Sequence, residues 1–504
     1  MRRIGIIDIG SNTIRLIIVD LHDDGSFKLA NELKESVRLG KGLNKTNRLK
    51  PETMKKALQT IRVFNDFCSI YKVDKIIAVA TAAVRNSENG KEFINTLKLK
   101  TGIEINIISG KKEAWLDYYS VINTMDIKNA LLIDIGGGSM EILKVKNRQI
   151  KNYISLPHGV VTLTETFLLD DPPKIECIKN LEEFLGKQIN KLDWIKDKDI
   201  NTLVGIGGTV RTIAKIDRRK KLYPINLIHN YEMYSADIDN ILGLVINKTV
   251  KELKKVPGLS SERSDIILAG LITVKEILKH TGIRKIKISG NGIREGILYK
   301  NILNDDKILD DVCTYSVYNM MKYYNVNEHH AQNVKQLAIC LYDNLINLHG
   351  CENEYRELLA IASLLHDIGL IVNFYHHNIH SGYIILNNGI NGLSHKKILK
   401  CALMTMMHEG NGYEKIINEY KSILTIDELE KIRKMGSILR IAEGLDISEL
   451  GRVNIISCVV GKTDVLIDLK SNDGIIELEK FSVDKNNDIF HKVFKRNIKV
   501  IEGD

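Results

Sequence analysis

DIGSNT at residues 8–13 and DIGGGS at residues 134–139 are two versions of one motif. Each follows an apolar run with the composition of a strand, Ile4–Ile7 in the first case and Leu131–Ile133 in the second. Each also precedes a second such run, so the acid and the glycines lie in the turn of a β-hairpin. The turn of a dinucleotide site or a Walker loop leads from a strand into a helix, so neither is predicted here. Two such hairpins predict two related half-domains with a cleft between them.

The composition of the two turns suits phosphate and a divalent cation. Glycine lacks a side chain, which lets backbone N–H groups approach phosphate oxygens. The carboxylate at the start of each turn, Asp8 or Asp134, can hold Mg²⁺ directly or through water. The alternative is a pair of tight turns whose aspartates bond only to nearby amides. Repetition of the motif favours phosphate binding over that alternative.

Length and composition indicate a globular protein of several domains. The chain has 504 residues, of which 44% are hydrophobic and 27% charged. Its net charge of +9 serves solubility or provides a path for a polyanion, and charge alone does not decide. The 7 cysteines form no CxxC pair, which is typical of reduced thiols. With no signal segment and no membrane-length apolar run, we expect a cytoplasmic protein without a membrane or specific nucleic-acid partner.

The pattern of the chain changes twice along its length. Strands first alternate with helices, and further glycine turns follow strands at residues 205–209 and 289–292, which predicts an α/β fold with its working loops at one sheet edge. Helical periodicity then takes over, and 9 of the 14 histidines lie between His329 and His408. Short alternating strands return from about Gly451, with a hairpin turn predicted at residues 471–474. We therefore predict two α/β subdomains, a helical domain and a small α+β piece, at residues 1–124, 125–304, 305–450 and 451–504.

Two charged residues outside the turns are candidates for chemistry. Arg85 follows an apolar strand and a small-residue turn, and its guanidinium fork suits phosphate, although a surface ion pair is the alternative. Glu113 follows a strand and a glycine turn, at the start of a predicted helix. It is either a base that accepts a proton from an attacking water or a favourable charge at a helix start.

The histidine-rich region contains an adjacent pair, His366 and Asp367, in an apolar helix. Burial of such a pair is costly unless both side chains are paired or bound to a metal. With His330 upstream and Asp446 downstream, the order resembles that of the ligands in HD-type metal phosphohydrolases. The region is therefore a metal site, with or without catalysis of its own, or a helical domain whose polar pairs only maintain the fold.

Seven ordered motifs resemble those of the exopolyphosphatase/guanosine pentaphosphate phosphatase family (Ppx/GppA). They are Asp8–Leu16, Ala80–Arg85, Ser109–Ala114, Asp134–Glu141, Leu156–Gly159, Gly205–Arg211 and Ser289–Gly296. The resemblance implies a duplicated actin-like (ribonuclease-H-like) ATPase fold in the N-terminal half. The long form of the family adds an all-α HD-like domain and a small α+β C-terminal piece, so the resemblance extends across nearly the whole chain.

The activity implied by the resemblance is processive, Mg²⁺-assisted hydrolysis of the terminal phosphoanhydride of polyphosphate, with release of orthophosphate. Glu113 would be the general base, Arg85 would bind the terminal phosphate, and Mg²⁺ or Mn²⁺ would lie on Asp134 with Asp8 or Glu141. The family often has two acids before the alanine of this motif, whereas Lys112 precedes Glu113 here, so no second acid could replace it. The implied phosphate-binding residues are Gly10, Ser11, Asn12, Thr13, Gly136, Gly137, Gly138, Ser139, Gly207, Gly208 and Thr209.

Several alternatives stay open at this point. Polyphosphate and guanosine pentaphosphate end in the same phosphoanhydride, and only the helical domain and the basic excess favour the longer polyanion. A kinase or ATPase on the same fold would need a purine pocket, of which no motif is evident, and a non-catalytic polyphosphate or nucleotide sensor is a third class. The resemblance also suggests a homodimer and leaves a monovalent-cation requirement undecided. A divalent metal in the HD-like domain would lie on His330, His366, Asp367 and Asp446.

Overall fold

The computed structural model describes residues 1–303, 306–410, 412–471 and 476–502. The chain divides into two compact units. The first comprises Met1–Tyr223 and Ile228–Val312, and the second comprises Pro224–Leu227 and Cys313–Asp504. In the described ranges, no helix has both the length and the apolar character needed to cross a membrane. This division into two units does not test the four predicted domain ranges, which remain a prediction.

The first unit begins with a mixed sheet that contains the first hairpin. The sheet consists of β1 (Arg2–Ile9), β2 (Thr13–Leu21), β3 (Phe27–Ser36), β4 (Lys75–Ala80) and β5 (Ile105–Ile107). Their order is β3-β2-β1-β4-β5, with β1 antiparallel to β2 and parallel to β4. The helices of this part are α1 (Leu43–Thr46), α2 (Pro51–Ile70), α3 (Ala82–Arg85), α4 (Gly90–Thr101) and α5 (Gly110–Ile122).

Strand β1 is apolar on both faces because helices cover both. Ile7 and Ile9 belong to a core with Phe64 of α2, whereas Ile6 belongs to a core with Leu116 of α5. Side chains alternate between the two faces along a strand, so Asp8 lies on the face of Ile6, toward α5. The period of the strand thus turns this carboxylate toward the helix that carries Glu113.

A second mixed sheet repeats this arrangement. It contains β6 (Ala130–Ile135), β7 (Met140–Lys146), β8 (Gln149–Leu156), β9 (Thr202–Ile206), β10 (Glu232–Tyr234) and β11 (Lys285–Ile288), in the order β10-β11-β9-β6-β7-β8. As in the first sheet, three strands form an antiparallel meander and the next runs parallel to the first of them. The predicted duplication of one α/β plan is therefore confirmed. The helices here are α6 (Val160–Phe167), α7 (Ile175–Ile189), α8 (Gly207–Lys220), α9 (Ser235–Val245), α10 (Val250–Leu253), α11 (Ile267–Thr281) and α12 (Ile293–Ile302).

The turn of the second hairpin is held by the residue that precedes α6. A Cβ atom at Gly159 would lie 2.4 Å from the carbonyl carbon and oxygen of Gly137, a distance that no side chain tolerates. The backbone N–H of Val160 also bonds the carbonyl of Gly136 at 2.9 Å. Glycine at position 159 therefore lets the chain pack directly on the backbone of the turn.

The second unit is helical and then mixed. Its helices are α13 (Val312–Tyr323), α14 (Glu328–Asn344), α15 (Ile346–His349), α16 (Asn353–Leu365), α17 (His377–Asn388), α18 (His395–Met406), α19 (Tyr413–Glu419) and α20 (Ile426–Gly444). They precede β12 (Val453–Val460), β13 (Asp464–Ser471), α21 (Glu477–Phe494) and β14 (Asn497–Glu502), whose sheet has the order β12-β13-β14. The predicted helical region followed by an α+β piece is confirmed. The hairpin turn predicted at 471–474 lies, beyond Ser471, outside the described residues.

Candidate active site

The turns of the two hairpins lie against each other in the first unit. Within residues 10–13 and 136–139, the N–H of the first glycine bonds the carbonyl three residues on, at 3.1 and 3.0 Å. A Cβ atom at Gly138 would lie 2.8 Å from Oγ of Ser11, so the second turn approaches the first more closely than a side chain would allow. The two predicted phosphate-binding turns are thus brought together, and both line one cavity.

Helix α5 brings two carboxyl groups toward both hairpins. Glu113 and Asp117 are four residues apart, so they lie on one face of the helix. Both side chains are buried, and Glu113 lines the same cavity as Asp8 and Asp134. Burial and the neighbouring carboxyl groups, that of Asp134 first among them, raise the pKa of Asp117 well above its usual range.

The three predicted metal ligands each have a buried oxygen that lacks a hydrogen-bond partner among the described residues. These atoms are Oδ1 of Asp8, Oδ1 of Asp134 and Oε2 of Glu141. Burial raises the pKa of Asp8 to about 6, and burial together with Glu113 raises that of Glu141 well above its usual range. Buried acceptors without a donor cost free energy, and a divalent cation with oxygen ligands would offset that cost. The oxygen chemistry of these groups suits Mg²⁺, but their ligand atoms do not all lie within 4.8 Å of one another, and of the three only Asp8 and Asp134 line the cavity.

Arg85 contacts the candidate base. Its Nη1 lies 2.7 Å from Oε2 of Glu113 and also donates to the carbonyl of Ile108 at 3.0 Å. Burial raises the pKa of Glu113 to about 7, although the hydrogen bond and charge of Arg85 act in the opposite direction. Sequence reasoning assigned Arg85 to phosphate, whereas the structure places it on the carboxylate that a base would use.

Four other arginines line the cavity: Arg15, Arg211, Arg263 and Arg294. Burial and the charges of the other three lower the pKa of Arg15 to about 10. Burial likewise lowers the pKa of Arg263 to about 10, with Arg211 contributing. Arg294 is instead paired with Glu32 at 2.7 Å, which raises its pKa despite burial. The cations of Arg15, Arg211 and Arg263, held close together at such a cost, suit a multiply charged anion.

The third glycine turn fixes the position of Asp134. Gly207 has φ +81°, and a Cβ atom there would lie 2.0 Å from Oδ1 of Asp134. Only glycine accepts both the left-handed backbone and this close approach. A Cβ atom at Gly208 would similarly meet Nη2 of Arg263 at 2.0 Å, and Thr209 donates its hydroxyl to the carbonyl of Ile135 at 3.0 Å. The structure thus places this predicted phosphate turn against the carboxylate and an arginine.

The family model described as "Ppx/GppA phosphatase family" matches residues 18–305, and that of "Ppx/GppA phosphatase, domain III" matches residues 312–481. This chain belongs to the Ppx/GppA phosphatase family. A bifunctional 3-dehydroquinate synthase/phosphatase of Fusobacterium nucleatum is 33% identical over 317 residues, which are 59% of this chain and 46% of that protein. The chain therefore matches less than half the length of this curated relative.

Solved structures of the Ppx/GppA family share the fold of the first unit. The Aquifex aeolicus family member is 30% identical, with a TM-score of 0.52, over 60% of this chain and 98% of that one. An exopolyphosphatase from Cytophaga hutchinsonii is 27% identical, with a TM-score of 0.55 and the same coverage. The predicted actin-like α/β fold and the predicted family are thereby confirmed.

Sequence reasoning assigned no role to several residues of this Ppx/GppA site. Asp117 could have been found from its spacing to Glu113 on α5, and Arg15 from its position directly opposite Asp8 in the hairpin. Arg211 lies one turn after Gly207 on α8 and bonds its carbonyl at 3.0 Å. Arg294 lies within the Ser289–Gly296 motif, just after its glycine turn, whereas long-range folding alone brings in Arg263.

The second candidate site lies within the helical part of the second unit. His330, His366 and Asp367 are close enough together to hold one metal ion. Asp446 accepts a hydrogen bond from Nδ1 of His330 at 2.8 Å, so it contacts the ring nitrogen farther from Asp367. His377, which the sequence did not single out as a ligand, belongs with Asp367 to a second such group.

We predict opposite effects of Arg15→Met on stability and anion binding. Loss of a half-buried charge among arginines should raise the thermal unfolding midpoint. Affinity for inorganic tripolyphosphate should fall by about 10- to 100-fold, as expected for one charge-assisted hydrogen bond. Calorimetric titration and thermal unfolding measure the two quantities. Arg62→Met on the exposed face of α2 is the control and should change neither. A destabilised Arg15→Met variant with unchanged affinity for tripolyphosphate would contradict the assignment of Arg15 to the anion site.

Proposed function

We propose that this Ppx/GppA chain is an exopolyphosphatase that hydrolyses the terminal phosphoanhydride of inorganic polyphosphate and releases orthophosphate. The observation that carries the proposal is one cavity lined by a buried carboxylate with a raised pKa, Glu113, by further carboxylates and by four arginines. Such a cavity offers a proton acceptor, cation ligands and anion ligands together. The 27% identical exopolyphosphatase from Cytophaga hutchinsonii supports this choice of activity.

Glu113 is the general base in this proposal. A carboxylate with a pKa of about 7 accepts a proton from water more readily than an exposed glutamate, and about half of it is ionised at neutral pH. The water oxygen attacks the terminal phosphorus, the bridging P–O bond breaks, and the proton passes to Oε of Glu113. Arg85 orients this carboxylate through its 2.7 Å hydrogen bond.

The carboxylates of Asp8, Asp134 and Glu141 are the groups that would hold Mg²⁺ or Mn²⁺. A bound divalent cation supplies positive charge that stabilises the phosphate oxygens of the transition state. Asp134 is fixed for this role by Gly207, and Ser155 donates a hydrogen bond to Oε1 of Glu141 at 2.7 Å. Oε2 of Glu141 has no hydrogen-bond partner among the described residues, although Glu141 itself does not line the cavity.

The arginines and the two hairpin turns bind the substrate phosphates. Arg15 and Arg263 neutralise successive phosphate groups, and backbone amides of residues 10–13 and 136–139 surround the terminal one. Among the described residues, those that line the cavity include no aromatic side chain on which a purine could stack. This favours inorganic polyphosphate over a nucleotide bound wholly within the cavity.

The proposed substrate is tested by measuring phosphate release from polyphosphate, guanosine pentaphosphate and ATP side by side, with and without Mg²⁺. We expect the highest kcat/KM with polyphosphate and a loss of activity without the metal. A higher kcat/KM with guanosine pentaphosphate would identify that nucleotide as the substrate of the same hydrolytic reaction. Phosphate transfer from ATP to a small acceptor would contradict the proposal.

Replacing the base tests its role directly. Glu113→Gln keeps the shape of the side chain but removes its proton-accepting oxygen, so kcat should fall by about 10²- to 10⁴-fold. Lys112 offers no substitute carboxylate. The exposed Glu92→Gln substitution on α4 is the matched control and should retain full activity. An unchanged rate of phosphate release from polyphosphate in Glu113→Gln would remove Glu113 from the mechanism.

The pH profile separates the two roles considered for Arg85. The base acts when deprotonated, so kcat/KM should rise with pH through the pKa of Glu113, near 7. Arg85→Gln removes the positive partner, which raises that pKa and moves the acidic limb upward by about 1–3 pH units. Activity should then recover at high pH.

A uniform loss of kcat/KM at every pH in Arg85→Gln would instead assign Arg85 to phosphate binding. Arg48→Gln, which breaks an exposed ion pair with Glu88, is the control for loss of a cation. Its pH profile should coincide with that of the unmodified protein.

A further inference from the structure

Four imidazole rings and one carboxylate converge in the helical part of the second unit. The rings come from the start of α14 (His330), the residue after α16 (His366), the start of α17 (His377) and the turn after α18 (His408). All four are buried, and Asp367 lies among them with 13% of its side chain exposed. The four rings and the carboxylate therefore form an interior cluster, and the partly exposed side chain of Asp367 connects it to solvent.

The hydrogen bonds of the rings fix their tautomers. Nδ1 of His366, His377 and His408 bonds the backbone carbonyl three residues earlier in the chain, at 2.7, 3.0 and 2.6 Å. Nδ1 of His330 bonds a carboxylate oxygen of Asp446 at 2.8 Å. Oxygens of these kinds only accept, so each Nδ1 carries a hydrogen and each neutral ring keeps a lone pair on Nε2.

These lone pairs face each other in two pairs. Nε2 of His330 lies 3.2 Å from Nε2 of His366, and Nε2 of His377 lies 2.9 Å from Nε2 of His408. Two lone pairs at such distances repel unless a cation lies between them. Two nitrogens bound about 2.1 Å from one ion would lie about 3.0 Å apart at a right angle and about 3.4 Å apart at the tetrahedral angle.

Asp367 connects the two pairs through its two oxygens. Oδ2 lies 3.7 Å from Nε2 of His330 and 3.5 Å from Nε2 of His366. Oδ1 lies 3.2 Å from Nε2 of His377 and 3.8 Å from Nε2 of His408. Each oxygen thus completes a group of three ligand atoms, with the carboxylate shared between the groups.

We propose that the helical domain binds two divalent first-row transition-metal ions, with Asp367 as the bridging ligand. His330 and His366 hold one ion, and His377 and His408 hold the other. Imidazole nitrogen selects ions such as Mn²⁺, Fe²⁺ or Zn²⁺ over Mg²⁺, which prefers oxygen. Three protein ligands per ion leave coordination positions for water or for an oxygen of a bound molecule.

Asp446 orients a ligand in this proposal. Its Oδ2 accepts from Nδ1 of His330, and its Oδ1 accepts from the backbone N–H of Gly451 at 2.7 Å. A carboxylate behind an imidazole fixes the ring and raises the basicity of the ligating nitrogen. Asp446→Asn should therefore weaken metal affinity by about 10- to 100-fold, while the number of ions bound at saturation stays at two.

The rival explanation is a pair of shared protons. One protonated ring in each pair could donate to its neighbour, and two imidazolium groups would then surround Asp367. That arrangement explains the short nitrogen distances without metal. It requires no transition-metal ion to remain bound, which makes the two explanations separable by counting ions.

The test uses the full-length chain. The protein is stripped of metal with a chelator and dialysed against Mn²⁺ together with a large excess of Mg²⁺. Unbound ions are then removed by gel filtration, and the bound metal is counted by mass spectrometry. The Mg²⁺ excess competes for the oxygen-ligand site of the first unit, and any Mn²⁺ bound there is measured with Asp367→Asn and subtracted. We expect two Mn²⁺ per chain and an electron paramagnetic resonance spectrum of two spin-coupled ions.

Three variants make the test specific. Asp367→Asn should lose both ions and the coupled spectrum, and circular dichroism establishes that it folds. His408→Gln removes a ligand from one group only, so it should keep one uncoupled ion and decides the matter if Asp367→Asn does not fold. His349→Gln is the matched control, because His349 is buried in the same domain but bonds only backbone groups of Tyr342 and Cys351.

Retention of two coupled ions by His349→Gln and their loss in Asp367→Asn would support the centre. Equal Mn²⁺ content in the unmodified protein and Asp367→Asn would overturn it, as would a protein that retains no Mn²⁺. A single uncoupled ion in the unmodified protein would overturn the bridging role of Asp367.

Discussion

Carboxyl groups buried around α5 dominate the electrostatics of the cavity in the first unit. This helix carries Glu113 and Asp117 on one face and turns them toward the aspartates of both hairpins. Folding brings these negative groups together at a cost in desolvation and repulsion, which raises the pKa of Asp117 well above its usual range. The nearby arginines carry the opposite cost, since burial and mutual repulsion lower the pKa of Arg15. The proposed substrate, a polyanion bound together with a divalent cation, would lower both costs at once.

The hairpins were predictable from sequence because their signals are local. An acid, a glycine turn and flanking apolar runs specify one β-hairpin within about a dozen residues. Repetition of that pattern at residues 8–13 and 134–139 then indicated the duplication. The hydrogen bonds and ion pairs that charged side chains make were harder to predict from the sequence. Arg85 follows a strand as a phosphate ligand would, yet it bonds Glu113, because the start of α5 lies against it: a Cβ atom at Gly110 would be 3.8 Å from Nη2 of Arg85. Arg263 reaches the cavity from a segment that is distant in the sequence, and no local sequence pattern predicts its position.

In the helical unit, too, the sequence predicts what depends on local pattern and not what depends on how the helices pack. The adjacent pair His366–Asp367 was visible as a metal candidate because burial of such a pair requires compensation. The contribution of His377 and His408 depends on how α17 and α18 pack, which periodicity does not reveal. The two candidate sites of the chain also differ in donor chemistry. Oxygen ligands in the first unit suit Mg²⁺, whereas imidazole nitrogens in the second suit transition-metal ions.

In the proposed reaction, water attacks the terminal phosphorus of a polyphosphate chain in the cavity beside Glu113. Single-turnover hydrolysis of polyphosphate in ¹⁸O-labelled water, with mass analysis of both products, shows which phosphorus is attacked. We expect one ¹⁸O atom in the released orthophosphate and none in the shortened chain. Label in the shortened chain would place the attack on a different phosphorus, and orthophosphate free of label would assign the reaction to another acceptor; either result would rule out the proposed reaction.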